Sequence, residues 1–218
     1  MTGMDVRYDE VLGPLRTAYD ARADWRDGAP KLPFKLAERR AFRDRLPAGA
    51  RLLEIGAGTG QDSAYFRDAG LTVTATDLSP AMVEHCRAKG IEAHVLDFLR
   101  LGSLPAAAFD AVWALNCLLH VPNRDLPAVL AAIHGVLRPG GLFFLGVWGG
   151  QENREGANDH DEHDPPRFFS WRTDDVLLGF ATARFELLDF HALEVDNGNR
   201  FQSVTLRHAV PGPISGDA

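Results

Sequence analysis

Cysteine is scarce in this chain, with only Cys86 and Cys117 among 218 residues. Neither belongs to a CxxC pair, which excludes a disulfide framework and a zinc knuckle and leaves two buried small side chains as the expectation. Positive charge is also short: 23 Lys and Arg stand against 30 Asp and Glu, a net charge of -7. A protein that grips a phosphate backbone carries a basic excess or patch, so the balance argues against nucleic acid as a partner, short of a local patch. Long apolar runs are missing. The longest candidates, "LFFLGVW" and "LNCLLHV", fall far below the ~20 residues a membrane helix needs. The opening "MTGMDVRYDEV" lacks the apolar core of a signal peptide. These absences lead to the expectation of a soluble cytoplasmic protein without a membrane partner.

What remains is an ordinary globular balance, 45% apolar and 24% charged, in a length that suits one domain with a sizeable core. Residues 1–48 are polar and helix-prone. "KLAERRAFRDRL" spaces Leu36, Phe42 and Leu46 near helical periodicity between Pro33 and Pro47. From there strands and helices alternate. "ARLLEIG" reads as a buried strand, "QDSAYFRDAG" as a helix stopped by Gly70, and "LTVTATD" as a β-branched strand. "SPAMVEHCRAKG" has a Ser cap and a Pro in the first helical position. "IEAHVLD" and "AFDAVWALN" are further strands. "RDLPAVLAAIHGVLRPGG" reads as an amphipathic helix ending in Pro-Gly-Gly, and "LFFLGVW" as a strand covered on both faces. A loop over 149–170 precedes the helix "TDDVLLGF". The strands "RFELLDFHALE" and "RFQSVTLRH" close the chain as a hairpin turned at Asn197-Gly198. The pattern predicts an α/β fold, a single doubly wound seven-stranded sheet, mainly parallel, with one antiparallel strand from the terminal hairpin. Residues 1–48 form an N-terminal helical segment over the ligand site, 49–210 the main domain, and 211–218 a frayed tail.

The chemistry concentrates in "LLEIGAGTGQD", residues 52 to 62. Glycines after a buried strand let the backbone turn sharply and approach a ligand at the strand's carboxyl end. The dinucleotide fingerprint GxGxxG would need its third glycine at 61, which is Gln61. The next strand ends in Asp77, 21 residues after Gly56, where a carboxylate can accept hydrogen bonds from both ribose hydroxyls. The absent third glycine favours an adenosine ligand without a diphosphate.

"LLEIGAGTGQDSAYF", "VTATDLSPAMVEHC", "VLDFLR", "FDAVWALNCLLHVP" and "LRPGGLFFLGVWGG" occur in an order that resembles the class I S-adenosylmethionine-dependent methyltransferases, with their Rossmann-like fold, over about residues 50–210. The resemblance implies S-adenosylmethionine as cofactor. It implies that Gly56, Ala57, Gly58 and Gly60 floor the methionine part, that Glu54 supports this loop and the amino group, and that Asp77 binds the ribose. Leu78 and Met82 would flank the adenine, Asp97 would face its amino group, and Phe98 would lie beside the ring. Asn116 lies where the backbone meets the methionine amino group. Asp62 either contacts the cofactor or caps the first helix of the domain.

The sulfonium is already activated, so positioning supplies much of the acceleration and no universal catalytic residue is required. A hydroxyl nucleophile also needs a base. His120 in "NCLLHVP" is one candidate, against packing on a backbone carbonyl. His163, with His160, belongs to the loop "GANDHDEHDPPRFF", which is either a lid contributing a histidine to the site or a solvated surface loop. Its acids and histidines lack the helical spacing that would converge them on an ion, so no metal is expected. Trp148 and Trp171 either wall an apolar pocket or pack in the core. Tyr19, Trp25 and Lys35 are either cofactor contacts or surface packing. The other histidines, His85, His94, His134, His191 and His208, are expected to be structural. The leading expectation is methylation of a small molecule. The alternatives are an RNA or protein methyltransferase, an NAD-dependent oxidoreductase, and a cofactor-binding protein without catalysis.

Overall fold

The computed structural model describes residues 6–149, 152–158, 161–195 and 199–210. Three helices come first: α1 (Tyr8–Asp20), α2 (Ala23–Gly28) and α3 (Pro33–Asp44). Then follow β1 (Arg51–Ile55), α4 (Gln61–Asp68), β2 (Thr72–Asp77), α5 (Pro80–Ala88), β3 (Glu92–Val95), β4 (Phe109–Leu115), α6 (Leu126–Val136) and β5 (Leu137–Gly149). After them come β6 (Arg154–Ala157), β7 (Phe168–Trp171), α7 (Asp174–Thr182), β8 (Glu186–Val195) and β9 (Asn199–Arg207). The main sheet runs β3-β2-β1-β4-β5-β9-β8. Only β9 opposes its neighbours, pairing antiparallel with β5 and with β8. The strand order reverses between β1 and β4, the place where an open α/β sheet leaves a crevice at its carboxyl edge.

Alternation along the strands feeds two cores. Leu52, Ala111, Trp113 and Phe144 face one side with Phe42 of α3 and Phe66 of α4. Leu53, Ile55, Val112, Ala114, Phe143 and Leu145 face the other with α1, α6 and α7. Side chains two apart share a face, so each central strand is apolar on both sides, as a sheet covered by helices requires.

Two expectations need correction. The helix expected to run into Pro-Gly-Gly stops at Val136, and Leu137 already pairs with Phe109. Pro139 disfavours helical backbone at Arg138, and the strand begins early. The loop over 149–170 is not structureless: β6 and β7 pair antiparallel within it, Arg154 opposite Trp171 and Ala157 opposite Phe168. Its polar, glycine-bearing sequence hides the short strand, and the aromatic "RFFSW" was absorbed into the loop. Asn197-Gly198, His160 and the tail 211–218 lie outside the described residues.

Candidate active site at the β1–β4 crevice

Gly56, Gly58 and Gly60 all take left-handed backbone, with φ of 61°, 56° and 78°. Gly60 is the residue that starts α4. Two of the three are also sterically required. A Cβ on Gly56 would meet Cys117 Cβ at 2.3 Å, and one on Gly60 would meet Cys86 Sγ at 2.9 Å. The two cysteines are thus the buried small side chains against which the loop closes.

Two cavities meet over this loop. One, of about 220 Å³, is lined by Glu54, Ala57, Thr59, Gln61 and Asp62 on the sheet side and by Trp25, Arg26, Lys31 and Lys35 from the N-terminal helices. The other, of about 80 Å³, is lined by Asp77, Leu78 and Phe98, and by Tyr8, Tyr19, Cys117 and His120. Arg26, Gly56, Gly58, Leu115 and Asn116 line both.

Asp77 is buried at the tip of β2. One of its oxygens accepts from the Gly58 amide at 2.8 Å and the other from the Ser79 amide at 2.9 Å. Burial raises its pKa to about 6, against the lowering effect of those two amides. Each oxygen keeps a lone pair for a further donor. Asn116 has φ of 55° and a buried Oδ1 without a hydrogen-bond partner, set between the two cavities. A carboxylate for two vicinal hydroxyls, Leu78 and the Phe98 ring for a base, a left-handed glycine floor and an unsatisfied acceptor at the junction fit an adenosyl amino acid.

Glu54 is buried beneath the floor and accepts from the Ser63 hydroxyl. Burial and the neighbouring Asp62 push its pKa up. Asp62 does not cap α4, whose first residue is preceded by Gly60 without any side-chain cap. Instead its carboxylate takes Lys31 Nζ at 2.7 Å, Arg39 Nη1 at 2.8 Å and Trp113 Nε1 at 3.2 Å. Met82 and Asp97 do not line either cavity. Met82 is fully buried under the site, and Asp97 Oδ1 accepts from the Leu99 and Arg100 amides, starting the 3-10 turn that carries Phe98.

The N-terminal helices are tied down. Gln61, standing where a dinucleotide loop would have glycine, donates from Nε2 to the carbonyls of Asp27 at 3.0 Å and Ala29 at 3.2 Å. Ser79 Oγ donates to Asp20, and His85 pairs with Asp24 at 3.0 Å. Trp25 lines the larger cavity although its ring is exposed. Lys35 Nζ sits 5.2 Å over the Trp148 ring. Burial, then Lys31 and Arg26, lower its pKa to about 8.

On the acceptor side, His120 Nδ1 lies 2.6 Å from the Phe168 carbonyl and therefore carries the proton. Its Nε2 accepts from the Tyr19 hydroxyl at 2.7 Å. Burial lowers its pKa to about 3 despite that carbonyl, so the ring is neutral near pH 7. Arg167 Nη1 donates to the same Tyr19 oxygen at 3.1 Å. Asp161 holds Arg167 at 2.8 Å and His163 Nδ1 at 2.9 Å. His163 itself is buried edge-on to Tyr19 and lines neither cavity. The reading of this loop as a solvated surface is therefore wrong for Asp161 and His163: both fold under Tyr19. Among the described residues no group of three or more His, Cys, Asp or Glu could hold a metal. Trp148 and Trp171 wall a third cavity of about 210 Å³ with Leu119, Asn158, Phe169 and Ser170.

Several of these residues carry no local signal in the sequence. Arg26 and Arg167 are single arginines in polar segments. Arg172 is buried and donates to Asn123 Oδ1 at 2.7 Å and to the carbonyls of Leu118 and Val121, fixing the turn that presents His120. Its three acceptors lie about fifty residues upstream. The other histidines are held on the body or its rim: His191 by Glu38 and Asp189, His94 beside Glu92, and His134 against His208.

A doubly wound sheet with an antiparallel strand from the terminal hairpin, a GxGxG floor and an acid at the tip of β2 is the arrangement of the class I S-adenosylmethionine-dependent methyltransferases, which the chain resembles in fold and in the order of its motifs. Residues 53–145 match the family model described as a methyltransferase domain. A ubiquinone biosynthesis O-methyltransferase of Xanthomonas axonopodis pv. citri is 39% identical over 105 residues, covering 45% of this chain and 43% of that protein. A malonyl-[acyl-carrier protein] O-methyltransferase of Serratia marcescens is 35% identical over 132 residues, 60% of this chain and 51% of the other. The chain thus spans about half the length of these relatives or less. The structure is similar to that of 1,6-didemethyltoxoflavin-N1-methyltransferase from Burkholderia thailandensis with bound 1,6-didemethyltoxoflavin and S-adenosylhomocysteine. There the TM-score is 0.75 at 25% identity, over 94% of this chain and 91% of that one. S-adenosylmethionine is the cofactor of the class.

Proposed function

We propose that this chain transfers the methyl group of S-adenosylmethionine to a small-molecule acceptor. The observation that carries the reading is the pair of cavities meeting at Gly56, Gly58 and Asn116, one with a ribose-type acid and the other with cations. When bound, the cofactor supplies a methyl group on a sulfonium, a leaving group that needs no further activation. Asp77 holds the ribose hydroxyls, and Leu78 and Phe98 pack the adenine. Asn116 Oδ1 and Glu54 receive the ammonium. Arg26 lies over the Tyr19 ring at 5.2 Å, and it reaches the carboxylate. Residues 6–48 would cover the cofactor, pinned by Gln61 and Ser79, and exclude water from the methyl group.

A small acceptor is favoured over RNA because the one arginine-rich run, "RRAFRDR", is partly consumed by the fold. Arg39 pairs with Asp62, and Arg43 donates to the Ala69 carbonyl at 3.0 Å. The relatives point the same way: the ubiquinone-biosynthesis, malonyl-[acyl-carrier protein] and didemethyltoxoflavin methyltransferases take small or carrier-bound acceptors.

Calorimetric titration with S-adenosylmethionine, S-adenosylhomocysteine and NAD tests the donor. Tight NAD binding with no response to the sulfonium ligand would overturn the reading. Asp77→Ala is expected to weaken S-adenosylhomocysteine by at least ~1.5 kcal/mol, about tenfold, since a charged hydrogen-bond partner is lost. An unchanged affinity would place the ribose elsewhere.

The same group gives a pH prediction. Burial raises Asp77 to about 6, and ribose hydroxyls are accepted by the ionised form. Nucleoside affinity should rise with pH up to about 6 and level off above, falling about tenfold per unit on the acid side. The sign for stability is opposite. A carboxyl raised on folding stabilises most below its unfolded value and loses that contribution as pH climbs toward the folded one. A flat binding profile between about pH 4 and 6 in an Asp77-intact protein, the interval from the ordinary carboxyl value to the raised one, would sink this assignment.

A further inference from the structure

The hydrogen bonds of the Tyr19 hydroxyl leave a single vacancy, and that vacancy is an acceptor. Its proton is committed to His120 Nε2, because the Phe168 carbonyl fixes the proton of that ring on Nδ1. One lone pair is taken by Arg167 Nη1. A phenol oxygen has one lone pair more. Tyr19 and His120 both line the cavity that holds Asp77 and Asn116, so this lone pair belongs to the wall of the reaction site.

The charges around the hydroxyl select what can meet it. Arg26 lies over one part of the Tyr19 ring, Cζ at 5.2 Å, and Arg167 at 5.4 Å. Two acids stand near: Asp161 is spent on Arg167 and His163, and Asp77, on the wall of the same cavity, is held by the Gly58 and Ser79 amides. His163 packs edge-on at 5.8 Å. His120 is neutral, and Lys35 and Lys31 line the adjoining cavity. Two guanidinium groups beside one hydroxyl repel an ammonium and favour negative charge on an approaching oxygen or ring nitrogen. His120 is a weak base in this setting, so the group it serves must give up its proton readily.

We propose that Tyr19 receives the proton of the methyl acceptor and relays its own to His120, and that the acceptor is an acidic O–H or ring N–H compound, such as a phenol, enol or aza-heteroaromatic, rather than an amine or a simple alcohol. This rests on the methyl-transfer reading above and specifies its substrate class. In the step, the acceptor's heteroatom forms the new bond to the methyl carbon while the carbon–sulfur bond breaks and its electron pair stays on sulfur. The acceptor's proton goes to Tyr19 Oη, and the Tyr19 proton goes to His120 Nε2. The imidazolium keeps its Nδ1–H on the Phe168 carbonyl and, disfavoured by burial and by Arg26 and Arg167, returns its Nε2 proton through Tyr19 to water in the cavity once the methylated product leaves. Arg167 holds Tyr19 in register throughout and steadies the oxygen as it passes the proton on.

4-Nitrophenol is the probe, because its ionised form absorbs in the visible. With the full chain and saturating S-adenosylhomocysteine, the bound probe is expected to ionise about one pH unit below the free compound, tenfold more phenolate at a given pH. Tyr19→Phe should return the ionisation to that of the free compound and weaken probe binding severalfold. Arg167→Gln, which leaves the tyrosine in place, should recover about half of the shift. Benzylamine should not displace the probe. Ordinary ionisation of the bound probe, no probe binding, or displacement by benzylamine as readily as by phenol would each overturn the proposal. The titration is repeated without the nucleoside. Nucleoside binding without phenolate capture defeats this proposal alone, and phenolate capture without nucleoside binding defeats the donor reading alone.

Discussion

Gly56→Ala is expected to cost about 2–5 kcal/mol of folding stability and to abolish measurable binding of S-adenosylhomocysteine. Two terms add. An alanine in left-handed backbone costs ~1–2 kcal/mol, and Gly56 has φ of 61°. The new Cβ would also stand 2.3 Å from Cys117 Cβ, and overpacking of a tight contact costs typically ~1–3 kcal/mol. Neither partner can yield easily. Gly56 ends β1 at the floor of the crevice, and Cys117 begins the turn that carries His120. Its thiol donates to the Ile55 carbonyl at 3.2 Å. Relief therefore comes only by separating β1 from the chain after β4, which are the two walls of the site.

Gly58→Ala provides the contrast. Its backbone is equally left-handed, with φ of 56°, so the strain term is the same. No heavy atom lies within 4 Å of the added Cβ, because Gly58 opens on the cavities. This variant should lose only ~1–2 kcal/mol of stability while losing nucleoside affinity by more than about tenfold, since the methyl occupies ligand space. Urea unfolding midpoints and calorimetric affinities separate the two. Equal stability losses for both variants, or intact nucleoside binding by Gly58→Ala, would show that the loop is not the floor of the ligand site.

The loop was legible because its requirements are local. Left-handed turns demand glycine, an adenosine demands an acid at the next strand tip, and both stand in order along the chain. The strand pattern was legible for a related reason: Leu52 against Leu53 and Trp113 against Val112 alternate between two cores. The acceptor side was harder. His120 could be picked out from its place after β4, but its tautomer depends on Phe168 and its partner on Tyr19, which lies a hundred residues away. Arg167 and Arg172 act on carbonyls and hydroxyls distant in sequence, and no periodicity marks such bonds. Asp62 was misjudged as a possible helix cap because its position in the first turn of α4 invites that reading. The ion pairs with Lys31 and Arg39 come from segments that only the fold brings near.

Trp113→Ala should be the most destabilising single substitution on the α3–α4 face, with a loss of about 3–5 kcal/mol. The indole is fully buried in the central strand β4. It stacks on Phe144 with ring centroids 4.0 Å apart and meets Phe42 and Phe66, both at 5.3 Å. Removing it empties a space bounded by rigid strands and two helices, which collapse poorly around a void. A second effect rides on the indole nitrogen, which donates to Asp62 at 3.2 Å. Asp62 then keeps Lys31 and Arg39, so that share is smaller. Trp113→Phe isolates it: the stack is largely retained, the donor is lost, and the expected cost is about 0.5–1.5 kcal/mol. Since Asp62 lines the larger cavity, Trp113→Phe should also weaken S-adenosylhomocysteine binding a few-fold, whereas Phe66→Leu, which leaves the bonds of Asp62 in place, should not. Thermal and urea unfolding of the two tryptophan variants measure the difference. A Trp113→Ala protein as stable as Trp113→Phe would mean that the Asp62 bond, and not the aromatic cluster, holds this face of the sheet.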